Sequence, residues 1–259
     1  VNNKIILDYF INKLRSVGDK HSLFLTKASI NSYKSNKSEP TQPESKYLGN
    51  GIGLIKVPSC MTFNNTKDKE FANNIRFQIK KIDTANEIIG WIVDLRNNSG
   101  GNMWPMIAGL NALVQDGIIG YTVGTTNRKE MVLRTENGRI KNSNELTDTY
   151  KVKNLDTKIA VLIDSMTGSS GEMTAISFIG LPNVKLFGQP SAGYTTTNST
   201  IYLSDGTVLF LATNFIADRT HKIYPDKIIP DVIVNGLNNL GIDETLKYSK
   251  KWFLQIDKK

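Results

Sequence analysis

The residue types best suited to chemistry lie in the turn Thr167-Gly168-Ser169-Ser170-Gly171. An apolar, β-branched run at 159–163 precedes it and reads as a buried strand, and residues 172–179 follow with apolar positions at helical spacing. A strand feeding a helix through glycines and serines puts hydroxyls at a helix N-terminus. Unpaired N–H groups and the positive end of the helix dipole favour an anion there. That environment suits a serine nucleophile whose attack generates an oxyanion. On the turn alone it better suits a serine that only caps the helix, since Ser169 stands three residues before Glu172 in a Ser-x-x-Glu pattern.

Other candidates are sparser. The pair Gly100-Gly101 follows a second strongly apolar run at 88–95. Two glycines let the backbone bend with positive φ and bring N–H groups close to a ligand, or they serve a plain turn. Of the two histidines, His21 lies between a helix end and an apolar stretch, a place more typical of a structural imidazole, and His221 sits in a charged loop. The one cysteine, Cys60, excludes an internal disulfide and a multi-cysteine zinc site, and reads as a small hydrophobe. Two distant histidines and one cysteine form no ligand cluster, so neither a metal nor a cofactor is expected.

The elements that must position these residues follow from periodicity. Helical patterns are predicted at 1–17, 67–84, 103–114 and 242–253, with Pro105 in a first turn where it is tolerated. Strands are predicted at 51–57, 118–123, 130–134 and 184–188, with a hairpin at 199–203 and 207–212 across Ser204-Asp205-Gly206. Residues 28–47 are polar and read as a loop; Gly124-Thr125-Thr126-Asn127 reads as a turn and 138–152 as a polar excursion. Alternation of strands and helices indicates an α/β domain with its polar joins on one rim. At 259 residues and 39% hydrophobic content the chain can bury a substantial core, and no apolar run approaches the roughly 20 residues needed to cross a bilayer. Lys+Arg 32 against Asp+Glu 24 gives a net charge of +8, read as a solvated lysine-rich surface. No nucleic-acid-binding signature accompanies it. The chain starts at Val1 without an initiator Met, as expected of a mature or truncated fragment.

Taken together, these segments resemble the carboxyl-terminal processing (tail-specific) peptidases and their tricorn-like branch. Asp94-Leu95-Arg96-Asn97-Asn98-Ser99-Gly100-Gly101 is similar to the family's Asp-Leu-Arg-x-Asn-x-Gly-Gly, and Gly168-Ser169-Ser170-Gly171-Glu172 to its nucleophile turn. Gly188-Gln189-Pro190-Ser191-Ala192-Gly193, Leu203-Ser204-Asp205-Gly206 and Ile229-Pro230-Asp231 resemble three later motifs, so the likeness covers roughly 19–234. It implies a crotonase-like core of repeated ββα units at 48–259, a small helical segment at 1–27 and a polar loop at 28–47, with no room for a PDZ domain.

The same resemblance implies Ser169 as nucleophile, with the backbone N–H groups of Ser170 and of Gly100 and Gly101 as oxyanion donors. The processing branch places a lysine base where this chain has Tyr194, and a tyrosine with an ordinary pKa of about 10 is no base near neutrality. The tricorn-like branch uses a histidine instead. Asp19-Lys20-His21-Ser22 resembles its Asp-x-His-Ser segment and turns the expectation for His21 from structural to general base. A third member supporting that histidine has no clean match; Tyr224 and Asp226 are the nearest polar residues. The expected activity is serine-type peptide-bond hydrolysis on protein or peptide substrates, outside the cytoplasm of a bacterium; an oligomer is compatible with the sequence. The alternative is a non-catalytic relative binding an apolar small molecule or peptide. An acyl-CoA enzyme of the crotonase type is a third reading, which the serine-rich turn disfavours.

Overall fold

A computed structural model describes residues 3–35, 41–62, 64–124, 130–136, 139–140 and 149–255. Chain order runs α1 (Asn3–Ser16), β1 (Leu23–Leu25), α2 (Lys27–Ser35), β2 (Glu44–Tyr47), β3 (Ile52–Lys56), α3 (Asn65–Ala85), β4 (Gly90–Asp94) and α4 (Met103–Val114). It continues with β5 (Gly117–Gly124), β6 (Glu130–Glu136), β7 (Arg139–Ile140), β8 (Lys158–Ile163), α5 (Ser170–Ile176), β9 (Val184–Gly188), β10 (Thr196–Tyr202), β11 (Val208–Ala217), β12 (Ile223–Tyr224), β13 (Val232–Ile233) and α6 (Glu244–Phe253).

Two sheets organise these elements. One runs β13-β9-β8-β4-β3-β2 and is parallel except for the antiparallel edge β2. Its strands β4 and β8 are apolar apart from Asp94 at the end of one and Lys158 at the start of the other, because both faces are covered. Trp91 and Val93 of β4 and Ile159, Val161 and Ile163 of β8 face the main core with α3, α4 and α5, while Ile92, Ala160 and Leu162 face Trp252 and Phe253 of α6. Side chains alternating with period two thus split one apolar run between two cores.

Helix α3 forms because Phe71, Ile75, Ile79 and Ile82 recur on one buried face, and because the Asn64 side chain accepts from Thr66 N at 2.8 Å at its start. In the second sheet, β11 is the hub. It pairs antiparallel with β1, β10, β5 and β12, and β6 and β7 continue outward from β5. The whole is the mixed α/β, crotonase-like arrangement. Between β1 and β2 there is room only for α2, so no PDZ module is inserted there.

Three sequence expectations need correction. The polar stretch 28–47 is not simply a loop. Thr26 Oγ1 accepts from Ser29 N at 3.1 Å and starts α2, and Glu44–Tyr47 pairs with β3 as an edge strand held by backbone bonds, which leave no hydrophobic pattern to read. The hairpin is longer than the 199–212 expected, since β10 begins at Thr196 and β11 runs to Ala217 with a register shift at Thr197/Asn198. The short strand β7 lies within the expected polar excursion at 138–152; most of that stretch, and residues 125–127 of the expected turn, lie outside the described residues.

Ile75 is fully buried between α3 and α4, where Gly109 allows the helices close approach: a Cβ there would stand 2.7 Å from Ile75 Cβ. Ile75→Ala is expected to lower unfolding free energy by about 2–5 kcal/mol in urea titration, with an unchanged far-UV spectrum.

Candidate active site

The turn after β8 is built before it reaches Ser169. Asp164 Oδ1 accepts from the N–H groups of Met166 and Thr167, both at 3.0 Å, and Thr167 Oγ1 donates to Leu95 O at the end of β4, also at 3.0 Å. Gly168 N donates to Asn98 O at 2.9 Å. Ser169 then takes φ 49°, ψ −116°, a region that a non-glycine residue rarely occupies and that presents its hydroxyl outward at the strand-to-helix bend. It occupies the N-cap position of α5, and its N–H donates to Glu172 Oε2 at 2.8 Å. Capping and an outward hydroxyl therefore coexist at one residue.

The hydroxyl meets an imidazole. His21 Nε2 lies 2.9 Å from Ser169 Oγ, although the two are 148 residues apart in sequence. His21 Nδ1 lies 2.9 Å from Thr196 Oγ1. The imidazole is held by its own turn. Asp19 Oδ1 accepts from His21 N at 2.7 Å and from Ser22 N at 2.9 Å, and Arg15 of α1 donates to Ser22 O at 2.8 Å. Ser22 Oγ donates to Asp19 Oδ2 and accepts from Ala212 N of β11 at 2.9 Å. Burial works against the Asp19 carboxylate, but hydrogen bonds from Ser22 and His21 and the charge of Arg15 hold its pKa below the ordinary value. Burial, with the charge of Arg15, lowers the pKa of His21 against smaller upward pulls from the Thr196 backbone and Asp19, which favours the neutral ring.

The remaining sequence candidates separate clearly. Tyr194, at the lysine position of the processing branch, tilts against His21 with ring centroids 5.6 Å apart and lines the cleft. Tyr224 and Asp226 do not reach His21. The Tyr224 hydroxyl donates to Asp218 Oδ2 at 2.8 Å, and Asp226 pairs with Lys20 at 3.1 Å on the surface. Thr196, which sequence reasoning missed, takes the place beside Nδ1; the one signal was its position just after Gly193 and Tyr194, in a threonine run with no other evident purpose. His221 stacks on Tyr121 instead. Cys60 is buried at the cleft wall, and burial reinforced by Asp68 pushes its thiol up to about 12, so it stays protonated at neutral pH.

Both glycines of the pair have positive φ and lie against the Ser169 turn. A Cβ on Gly100 would stand 2.9 Å from Ser169 Cβ, and one on Gly101 would collide with the Cys60 carbonyl. Their N–H groups differ. Gly100 N donates to Asn98 Oδ1 at 3.0 Å, whereas neither Gly101 N nor Ser170 N is taken up by a hydrogen bond among the described residues. Ser170 Oγ donates to Gly101 O at 2.6 Å and links the two segments. Asn98 is fully buried and also donates to Val57 O at 3.0 Å, tying the glycine turn to the end of β3. The cleft beside Ser169 and His21 has a volume of about 610 Å³, with Leu23, Leu25, Met61, Tyr194 and Phe210 as apolar walls and Arg15 and Lys20 at its margin.

Comparison with known proteins gives the family. Residues 51–234 match Peptidase family S41, a span that contains the serine turn and glycine pair but not His21. The nisin-resistance protein of Lactococcus lactis subsp. lactis is 36% identical over 239 residues, 90% of this chain and 72% of that protein. The carboxy-terminal processing protease CtpA of Bacillus subtilis (strain 168) is 26% identical over 268 residues, covering 100% of this chain and 51% of that protein. Among solved structures, a lipoprotein from Streptococcus agalactiae has a TM-score of 0.74 and 32% identity, over 90% of this chain and 76% of that one. The chain belongs to Peptidase family S41, and is related to the carboxyl-terminal processing peptidases.

The lowered pKa of His21 has a definite sign in stability. The unfolded chain takes up the proton first, so this contribution is full above the ordinary value of 6.5 and is lost as pH falls through the folded value. Titration by NMR is expected to place His21 below 6.5. Asp19→Asn, which removes the upward pull of a nearby carboxylate, is expected to move it lower still; an unchanged midpoint would mean that the Asp19 charge does not act on the ring.

Proposed function

We propose that this chain is a serine endopeptidase acting through an acyl-enzyme on Ser169, with His21 as general base, in the manner of the tricorn-like branch. The observation that carries the reading is the 2.9 Å approach of an imidazole, whose burial favours the neutral form, to a hydroxyl on a strained strand-to-helix turn. His21 Nε2 accepts the Oγ proton as Oγ bonds to the scissile carbonyl carbon, and the imidazolium returns the proton to the leaving amine. Water, activated by the same nitrogen, then releases the acyl group. Thr196 accepts from Nδ1–H, which keeps Nε2 unprotonated and facing Ser169. Gly101 N and Ser170 N are the oxyanion donors in this scheme; Gly100, engaged with Asn98, shapes the turn instead.

The substrate class is a peptide, and the L. lactis relative directs attention to nisin as the first one to try. Its resistance role and the S. agalactiae lipoprotein also support work at the bacterial cell surface. A non-catalytic binding module gains no support from the contact between Ser169 and His21.

Labelling with a fluorophosphonate and intact-mass analysis tests the chemistry. One adduct is expected on the wild type and none on Ser169→Ala, with His21→Ala slowed by about 10⁴-fold or more. Incubation with nisin should yield cleavage fragments that Ser169→Ala does not produce. A folded wild type that never reacts would overturn the acyl-enzyme reading.

A further inference from the structure

The surface formed by the outer side of α6 and the hairpin before it has no role in the site above and shares no lining residue with the cleft at Ser169. The hairpin is a built structure. Leu237 bridges to Asp243, Asn238 N donates to Ile242 O at 3.0 Å, and Glu244 N donates to Gly236 O at 2.9 Å. The Asn238 side chain organises the tip, accepting from Leu240 N at 2.9 Å and Ile242 N at 3.0 Å while donating to Glu244 at 2.8 Å.

That ordered tip presents leucines to water. Leu240 is 82% exposed and Leu237 73%, beside the exposed Ile233 of the sheet edge and Tyr248 of α6. Single exposed apolar side chains are ordinary, but several gathered on one rigid hairpin mark a contact surface.

The neighbouring charges indicate what the contact is. Helix α6 buries Thr245, Ser249, Trp252 and Phe253 against the sheet, which puts Lys247, Lys251 and Leu254 on the opposite side at helical spacing. The nearby carboxylates are already balanced, Asp243 by Arg96 at 2.7 Å and Glu244 by Lys247 at 3.1 Å. Lys250 and Lys251 have no acidic partner among the described residues, so the surface is positive as well as apolar. Apolar fingers, a tyrosine and flanking lysines are the composition that suits a bilayer interface: leucines at the acyl boundary, the phenol and ammonium groups among the headgroups. A two-fold contact with a second copy would instead set the same lysines against each other.

We propose that this surface docks the protein onto an anionic lipid bilayer, with Leu237 and Leu240 entering the acyl boundary and Lys250 and Lys251 at the lipid headgroups. The proposal is independent of the peptidase reading.

Co-sedimentation of the full chain with vesicles tests it, using phosphatidylglycerol–phosphatidylcholine mixtures against phosphatidylcholine alone, at low and high salt. The expected result is binding to the anionic vesicles that weakens with salt. Lys250→Gln and Lys251→Gln should each weaken it about five-fold, and Leu237→Ser with Leu240→Ser should remove it. Leu237, Leu240 and Lys251 are exposed and Lys250 half-buried, and an unchanged thermal midpoint confirms that the variants fold. A wild type that stays in the supernatant at low salt, or binds equally well with both pairs replaced, would overturn the proposal. So would a dimer in sedimentation velocity that Leu237→Ser with Leu240→Ser dissolves.

Discussion

The arrangement at Ser169 depends on one buried carboxylate. Glu172 has no exposed surface, and its oxygens accept from Ser169 N, Gly193 N and Tyr194 N, each at 2.8 Å, and from Ser191 Oγ. Burial pushes its pKa up and the four hydrogen bonds pull it back. Three of those donors are backbone N–H groups, which have no other use inside a protein, so separating them from the carboxylate would strand both sides without water. The Ser169 turn and the 191–194 segment are thereby held as one body. Thr196 stands two residues beyond Tyr194 at the start of β10, and its hydroxyl is placed by the same constraint.

The imidazole arrives from the other end of the chain through β11. That strand pairs with β10, which carries Thr196, and with β1, which follows His21 closely. Its Ala212 N also donates to Ser22 Oγ, beside His21. A side chain near the N-terminus and one in the second half of the molecule thus share a single backbone template. Asp19 and Arg15 complete the hold from the N-terminal side. The imidazole therefore faces Ser169 through backbone pairing and short polar links, with Tyr194 packed alongside where the lysine branch of the family carries its base.

The glycine pair illustrates a different constraint. Sequence alone treats Gly100 and Gly101 alike, because both follow the same strand and both permit positive φ. Tertiary contacts divide them: the buried Asn98 side chain takes Gly100 N, and Ser170 Oγ donates to Gly101 O. Asn98 is itself an unremarkable residue in a polar-looking motif until its contacts with Val57, Pro58 and Gly100 are seen.

Much of the fold was legible because its signals are local. The apolar runs of β4 and β8, the 3.6-residue spacing of α3 and the small-residue turn before α5 follow from side-chain periodicity and backbone preference, which act over a few residues. The serine turn, the glycine pair and His21 could be singled out on local motif likeness in the same way. What needed the tertiary structure was every relation between distant segments: the meeting of His21 with Ser169 across 148 residues, the choice of Thr196 over Tyr224 and Asp226, and the separate duties of the two glycines. Helix α2 and strand β2 were hidden for a related reason, since a hydroxyl cap and edge pairing stabilise them without an apolar pattern. Periodicity records which face of an element is buried; it does not record which polar group from elsewhere in the chain will satisfy a given donor, because that is decided only when the sheets bring the backbone segments together.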